Sequence, residues 1–362
     1  MILFPETPVF PQGSRIWFDE LQWAVLPARY RNSRIARSAR ASLASVFDDD
    51  FLRIQTLASH PIGFDWILRN GRRALFRVGA ALTRFGISHE TQTRLRDPKQ
   101  YRACTAELDF GLFLALTSTA TKHEPLAPSS GPDFLVESAI GACAFEVKAP
   151  NDSQPLAARS KAAVHLATEL QRLVSQPSGK WGWQIEPRIA SSFWPSLNDE
   201  HARSDTLTAM LDALKRWALR PTEAPIQVGA EVTLAILRRY EPGVQIFGPA
   251  FEGDLDAEAA RLVNVHATRA ATQLGKLNVP GFLVFSTEQS GLIVNYVDGV
   301  LRALRENPTA FGHVAGIVVF GLRPMQARLI PIAQVYLRAE ARRLLPLLDA
   351  WSRVGCVSVR FF

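Results

Sequence analysis

Apolar residues recur along the chain at two spacings, one typical of helices and one typical of strands. Strands are predicted at 134–138, 142–148, 181–189, 228–238, 244–247, 281–286 and 314–320. Helices are predicted at 29–40, 51–58, 64–85, 101–117, 156–175, 204–219, 255–276, 293–306 and 335–350. Because strands and helices alternate beyond residue 100, the pattern favours an α/β fold with a mixed central sheet flanked by helices.

The first part of the chain contains helices without strands, and a polar stretch at 88–100 follows Gly86. Polar segments with glycine are typical of boundaries between structural regions. The sequence therefore predicts a mainly helical N-terminal region at 1–100 and an α/β domain at 101–362.

Positive charge is concentrated in that N-terminal region. The chain has a net charge of +7, and residues 1–100 carry 15 Lys+Arg against 9 Asp+Glu, a surplus of 6. A basic surface suits a polyanionic partner such as nucleic acid. Only 7 of the 41 basic residues are lysine, so arginine richness from genomic composition is an alternative explanation.

Four arginines recur every three residues in the predicted helix 29–40, namely Arg31, Arg34, Arg37 and Arg40. No acidic residue occurs between Glu20 and Asp48, so this helix has a broad positive face. The face is interpreted either as a nucleic-acid contact or as an ordinary solvated helix surface.

Several classes of protein are disfavoured by the sequence. No run of 18 apolar residues occurs, so we expect no membrane span, and the first residues lack the pattern of a secretory signal. The three cysteines are far apart and have no CxxC spacing, which disfavours a zinc site or a disulfide framework. A cytoplasmic location is therefore expected. The seven histidines show no metal-ligand spacing, and no P-loop or dinucleotide motif occurs.

The candidate chemistry lies in two neighbouring predicted strands. Asp133 opens the first strand, and Glu146-Val147-Lys148 closes the second. Side chains alternate along a strand, so Glu146 and Lys148 share one face. Folding the hairpin about 139–141 places Asp133 opposite Glu146 or Lys148, depending on the register, where Cβ atoms are about 5 Å apart.

This cluster has the residue types of a metal-dependent hydrolase. Asp133 and Glu146 supply carboxylate oxygens for Mg²⁺, with the Val147 backbone carbonyl as a third candidate ligand. Lys148 is placed to orient a water molecule, to stabilise negative charge, or to act as a base. Asp97-Pro98-Lys99 has the same acid-x-Lys spacing, but its proline makes it a poor strand. The alternative for Glu146 and Lys148 is a surface salt bridge on an edge strand.

Gly131-Pro132-Asp133 with Glu146-Val147-Lys148 resembles the PD-(D/E)XK nuclease superfamily, which has the restriction-endonuclease-like fold. The resemblance implies an αβββαβ core with the aspartate and the Glu-x-Lys on neighbouring strands. It also implies a glutamate on the first core helix, for which Glu107 is the match and Asp109 the rival. Gln273, on the predicted helix 255–276, is similar to an accessory glutamine of some members, although Leu277 stands where a tyrosine would complete that pattern.

The resemblance further implies a nuclease that hydrolyses phosphodiester bonds, most readily those of DNA, with Mg²⁺ or Mn²⁺ as cofactor. Asp133, Glu146 and Glu107 are then metal ligands and catalytic residues together with Lys148, and the product carries a 5′-phosphate. Restriction, phage defence and repair are the expected settings. The core requires fewer residues than 149–225 contains, which implies an insertion near 150–225 and leaves the third core strand at either 181–189 or 228–238.

Two other classes of function are left open by the sequence. One is a nuclease-fold protein of weak or no activity that binds nucleic acid, and the other is a protein-interaction module. The oligomeric state is also open, a homodimer included.

Overall fold

The protein is an α/β protein with a mixed seven-stranded sheet flanked by helices, as the pattern of apolar residues predicts. The computed structural model describes residues 34–47, 51, 60–62, 65, 69–118, 120–126, 131–139, 141–150, 162, 165–171, 182–190, 192–239, 243–246, 255–287, 293–325 and 328–362. The helices are α1 (Arg34–Val46), α2 (Arg69–Phe85), α3 (His89–Arg96), α4 (Tyr101–Thr117), α5 (Glu200–Ala218), α6 (Leu255–Leu262), α7 (Thr268–Leu274), α8 (Ile293–Glu306), α9 (Pro308–Phe311) and α10 (Leu345–Trp351). The strands are β1 (Thr121–His123), β2 (Phe134–Ser138), β3 (Gly141–Lys148), β4 (Gly182–Ile189), β5 (Ile226–Gln227), β6 (Val232–Arg239), β7 (Gly243–Ile246), β8 (Gly281–Ser286), β9 (Val314–Met325), β10 (Arg328–Leu337) and β11 (Cys356–Phe361).

The chain divides into two units. The first comprises Met1–Asn151 with Ala259–Phe362, and the second comprises Asp152–Glu258. The structure therefore places the N-terminal helices in the same unit as the seven-stranded sheet, rather than dividing the chain near residue 100. The intervening segment begins close to residue 150, as expected, but extends to Glu258 instead of ending near 225.

The sheet of the first unit has the strand order β1-β2-β3-β8-β9-β10-β11. Neighbours β1/β2, β2/β3 and β9/β10 are antiparallel, whereas β3/β8, β8/β9 and β10/β11 are parallel. Every residue of the central strand β8 is buried, which is usual for a strand covered on both faces. One face packs against α4 and α10, and the other against α6 to α9.

The N-terminal helices have their own apolar core. In α1, Ala36, Ala39, Leu43 and Val46 are buried at helical spacing, and Leu43 and Val46 belong to one apolar cluster with residues of α2 and α4. Polar side chains of α3 attach that helix to the end of α1. Gln92 donates to the Ser45 carbonyl, and Arg96 donates to the Val46 carbonyl at 2.6 Å. The helix predicted at 51–58 lies outside the described residues except for residue 51.

The second unit contains a four-stranded sheet of order β5-β6-β4-β7 beside α5. Trp183 is buried and meets the Trp217 ring edge-on, with centroids 5.2 Å apart, so this tryptophan belongs to the core. Residues 162 and 165–171 are helical, and the rest of the helix predicted at 156–175 lies outside the described residues.

Two expectations about strands were wrong. Neither 181–189 nor 228–238 joins the large sheet, because β4 and β6 pair with each other in the second unit. In the large sheet β3 pairs with β8 instead, and β2 pairs on its other side with the short β1. A three-residue strand is too short to give a recognisable alternation of apolar and polar residues.

The C-terminal segment was also predicted incorrectly. The helix expected at 335–350 is confined to α10, because residues up to Leu337 belong to β10 and a 3₁₀ helix occupies Ala339–Leu344. In β10, Ala333, Val335 and Leu337 alternate into the α4-side core, a period of two that identifies a strand. The last strand, β11, was not predicted at all.

Candidate active site

The β2–β3 hairpin brings Asp133 and Glu146 together. Phe134 pairs with Phe145, so the next position outward on each strand sets Asp133 opposite Glu146. The Asp133 amide donates to Glu146 Oε2 at 3.1 Å, and the Val147 amide donates to Asp133 Oδ2 at 2.7 Å. Of the two registers that the sequence allowed, the structure therefore has the one with Asp133 across from Glu146.

Glu146 and Lys148 share one face of β3, as strand parity predicts. Cys143, Phe145 and Val147 lie in the core on the opposite face. Glu146 is fully buried and forms an ion pair with the half-buried Lys148. A buried pair of this kind differs from the exposed edge-strand salt bridge considered as the alternative, because β3 is flanked by β2 and β8.

Gln273 joins this cluster from α7. Its Oε1 accepts a hydrogen bond from Lys148 Nζ at 3.3 Å, and its Nε2 donates to the Gly131 carbonyl at 3.3 Å. Gln273 thus links Lys148 to the segment that precedes Asp133. The predicted helix 255–276 is interrupted by a π-helical turn at Val263–Ala267 and ends at Leu274. Such turns are frequent at functional sites.

The carboxylates of the site are poorly compensated by positive charge. Burial raises the pKa of Asp133 well above its ordinary value, and the charges of Glu107 and Glu146 raise it further, while Lys148 opposes the rise. Burial also raises the pKa of Glu146, despite the charge and hydrogen bond of Lys148. A site that favours protonation for this reason is also favourable for a bound cation.

Glu107 lies on α4 and is buried beside the hairpin. Its Oε2 accepts a hydrogen bond from Arg94 Nη2 at 2.6 Å, and its Oε1 is 2.9 Å from His123 Nε2. Burial tends to raise the pKa of Glu107, but the hydrogen bond from His123 and the charge of Arg94 hold it below its ordinary value. The rival Asp109 is paired with Arg77 at 2.7 Å, so Glu107 is the helix acid near the hairpin.

Both oxygens of Glu107 are bonded in this way, but both oxygens of Glu146 are bonded too, to the Asp133 amide and to Lys148. The role of Glu107 as a direct metal ligand therefore stays a prediction. The charge of Glu107 raises the pKa of Asp133 and of Glu146. Glu107 is not among the described residues that line the cavity beside Asp133 and Glu146.

A cavity of about 150 Å³ opens onto the cluster. It is lined by Glu90, Arg94, Glu124, Leu126, Gly131, Pro132, Asp133, Glu146, Lys148 and Gln273. Two of the lining carboxylates, Asp133 and Glu146, belong to the same hydrogen-bonded pair and offer the hard oxygen ligands that Mg²⁺ or Mn²⁺ takes. The residues present therefore fit a divalent cation. The Val147 carbonyl stays a predicted ligand, since only its amide is seen to bond Asp133.

Glu107, His123 and Glu124 also place one ligand atom each within 4.8 Å of one another. Glu107 and His123 already bond to each other, however, and the His123 ring packs between Phe85 and Phe134 at 5.4 and 5.0 Å. Glu124 is connected to the hairpin through its backbone, since its amide donates to the Asp133 carbonyl at 2.8 Å.

Sequence reasoning missed Arg94, His123 and Glu124. His123 lies on the short strand β1 and Arg94 on α3, within the polar stretch interpreted as a boundary. The available signal was Ser88, which caps α3 by accepting from the Thr91 amide at 3.0 Å, a helix-start pattern.

Of the four arginines of the basic helix face, the three that the structure describes do not line the cavity. Arg34, Arg37 and Arg40 are exposed on α1, opposite the buried stripe, and Arg31 lies outside the described residues. Their proposed contact with nucleic acid stays a prediction.

Comparisons with protein-family models, with curated proteins and with solved structures found no match. Within the described residues, no helix is both long and apolar enough to cross a membrane.

Proposed function

We propose that the protein is a Mg²⁺- or Mn²⁺-dependent nuclease that resembles the PD-(D/E)XK superfamily. The observation that carries the proposal is the Asp133–Glu146 pair, bound reciprocally across the hairpin, with Lys148 beside it in one cavity. The alternative, a salt bridge on a surface strand, does not explain why Glu146 is buried or why a second carboxylate, that of Asp133, lies opposite it.

The order of elements around the site also supports the proposal. Helix α4 precedes the antiparallel strands β1, β2 and β3, and the helical segment α6–α7 leads to β8, which is parallel to β3. This order supports the αβββαβ core that the resemblance implies, with the second unit inserted between β3 and the helical segment.

The reaction we assign is hydrolysis of a phosphodiester. A water oxygen forms a bond to phosphorus and loses a proton, the bond to the 3′ oxygen breaks, and that oxygen gains a proton, which leaves a 5′-phosphate and a 3′-hydroxyl. Asp133 and Glu146 would hold a divalent cation, which when bound would supply positive charge to the phosphoryl group and acidify water. Lys148, fixed by Glu146 and Gln273, orients the water and stabilises developing negative charge.

The test is cleavage of labelled DNA duplex, DNA strand and RNA strand with Mg²⁺ or Mn²⁺. Asp133→Asn, Glu146→Gln and Lys148→Met should each lower kcat by at least about 100-fold, since each removes a group worth several kcal/mol in the transition state. Glu137→Gln and Lys122→Met are matched controls, because these two residues form an exposed ion pair on the same hairpin region.

Cleavage that survives both Asp133→Asn and Glu146→Gln would assign the chemistry to another site. Salt-dependent binding without cleavage under either metal would favour the alternative, a nucleic-acid-binding module on a nuclease fold.

A further inference from the structure

Arg94 is the one arginine among the residues that line the described cavity. It shares the cavity wall with Glu90, one helical turn earlier on α3, whereas Thr91 and Leu95 of the same helix are buried on the inner side. The spacing of α3 therefore aims one pair of residues into the core and the other pair at the site.

The guanidinium of Arg94 is fixed by a hydrogen bond to Glu107 that occupies one of its N–H donors. Within the described residues, its hydrogen bond runs from Nη2 to Glu107 Oε2 at 2.6 Å, a single contact rather than a bidentate one. Glu107 is fixed from the other side by His123, and α3 is anchored to α1 by Arg96. Arginine has five N–H donors, so several remain for a ligand in the cavity.

We propose that Arg94 is a catalytic residue that binds the non-bridging oxygens of the scissile phosphate, and that Glu107 and His123 position it. The inference rests on the proposed nuclease function and names the group that recognises its substrate. A planar guanidinium with free donors matches the oxygens of a phosphodiester, and a prearranged donor of this kind stabilises charge that develops in the transition state. Lys148 lies across the same cavity and provides the second positive charge.

The rival explanation is that Arg94 only neutralises the buried charge of Glu107. The chain contains a matched case, because Arg77 forms the same kind of pair with Asp109, also on α4, at 2.7 Å and with no place in the cavity lining. Arg77 also donates from Nη2 to the Asp109 carbonyl at 3.5 Å, and within the described part of the chain Asp109 has no partner equivalent to His123. Of the two arginines, Arg94 is the one that lines the cavity.

The experiment compares Arg94→Gln, Arg94→Gln/Glu107→Gln and Arg94→Lys with Arg77→Gln and Arg77→Gln/Asp109→Asn. Cleavage of a labelled DNA duplex, DNA strand and RNA strand is measured with Mg²⁺, and binding with Ca²⁺. The double substitutions remove both charges, so neither leaves an unpaired buried carboxylate. Melting curves show which variants fold.

We expect Arg94→Gln and its double variant to lower kcat by about 100-fold and to weaken binding about fivefold, whereas Arg77→Gln/Asp109→Asn stays within about threefold of the native protein. Arg94→Lys should stay folded but recover little activity, because an ammonium cannot form the bidentate contact. When a phosphorothioate replaces the scissile phosphate, the native protein should cleave one of the two stereoisomers more slowly than the other. Replacing Mg²⁺ with Mn²⁺ should not restore the slower rate. Arg94→Lys should cleave the two stereoisomers at similar rates.

Recovery of activity in Arg94→Gln/Glu107→Gln to within about threefold of the native protein would overturn the inference and leave the nuclease proposal intact. If the native protein binds the probes without cleaving them, the nuclease proposal fails. In that case the affinity for the nucleic-acid probes tests the inference about Arg94. The Arg94→Gln/Glu107→Gln variant must then bind the probes more weakly than the Arg77→Gln/Asp109→Asn variant, and equal affinities would overturn the inference. A native protein that neither binds nor cleaves overturns both.

Discussion

The backbone amide of Asp133 donates to the Glu146 carboxylate, and the Asp133 carboxylate accepts from the amide next to Glu146, that of Val147. Each acid is thus fixed by the strand that carries the other. The arrangement follows from the pairing of β2 with β3. It holds two negative charges close together in a buried place, which is unfavourable for stability unless a cation or a proton binds there.

The first prediction concerns the cost of the Asp133 charge. Burial and the charges of Glu107 and Glu146 raise the pKa of Asp133, so the folded protein binds a proton there more tightly than the unfolded chain does. The resulting stabilisation is fully present below the unfolded carboxyl pKa, about 3.9, and is lost as pH rises through the higher folded value. The asparagine side chain of Asp133→Asn cannot ionise, so this variant keeps the stabilisation at every pH.

In EDTA, Asp133→Asn should therefore melt about 2–4 °C higher than the native protein at pH 8, and this difference should shrink towards pH 4. Thermal melts by circular dichroism across this range provide the measurement. Glu137→Gln removes an exposed acid from the same hairpin and should change little at either pH, since surface ion pairs contribute less than about 1 kcal/mol. A difference that is constant with pH would show that the charge of Asp133 costs nothing.

The second prediction separates metal ligands from positioning residues. A cation that binds the folded protein alone stabilises it by about 2.7 kcal/mol at 100 times its dissociation constant. Mg²⁺ or Mn²⁺ should raise the melting temperature of the native protein but not of Asp133→Asn or Glu146→Gln. Glu107→Gln should retain most of the shift, because Glu107 does not line the cavity that Asp133 and Glu146 share.

Titration calorimetry with Mn²⁺ gives the same comparison as affinities. If Glu107→Gln abolished binding as completely as Asp133→Asn, Glu107 would be a direct ligand, and the contacts to Arg94 and His123 would have to rearrange when metal binds.

The third prediction concerns Gln273, which connects Lys148 to the Gly131 carbonyl. Gln273→Ala removes one of the two acceptors that hold the ammonium, while the ion pair with Glu146 remains. We expect kcat to fall by about tenfold, with KM changed less than about threefold, because positioning is lost and the charge is kept. Thr272→Ala, an exposed neighbour on α7, is the control. An unchanged kcat would show that Glu146 alone fixes Lys148.

How far the sequence predicts this site depends on the separation of its parts along the chain. Asp133, Glu146 and Lys148 lie on one hairpin, where alternation of side chains and strand pairing are local rules, and the two strands are confirmed within one residue at each end. The boundaries of α4 are confirmed as predicted. Arg94 could not be found in this way, since its position depends on how α3 packs against α1 and α4 and no short-range pattern records that packing.

The errors at the C-terminal end have a different cause. Arg338-Ala339-Glu340-Ala341-Arg342 has the composition of a helix, and this outweighed the alternation of β10 in front of it. The structure uses the segment as a 3₁₀ connection, and Arg338 donates from Nε to the Val314 carbonyl at 2.9 Å. Tertiary hydrogen bonds thus override a local helical preference that is worth only tenths of a kcal/mol per residue.

The last prediction tests whether packing behind the hairpin holds the site in register. A Cβ added at Gly111 of α4 would lie 2.4 Å from the ring of Phe134, the residue that follows Asp133, and 3.0 Å from the ring of Phe85. Alanine in a helix is favoured over glycine by about 1 kcal/mol, whereas overpacking a core costs about 1–3 kcal/mol. Gly111→Ala should therefore lower the melting temperature and, by displacing Phe134, weaken Mn²⁺ binding by about tenfold.

Gly111→Ala combined with Phe134→Leu should recover part of both losses, because the smaller side chain gives room to the new methyl group, whereas Phe134→Leu alone leaves a cavity and destabilises. The coupling between the two substitutions, measured by thermal melts and calorimetry as a double-mutant cycle, should be at least about 1 kcal/mol. Additive effects would mean that α4 adjusts its position without moving β2. The carboxylate of Asp133 would then depend on the β2–β3 pairing alone.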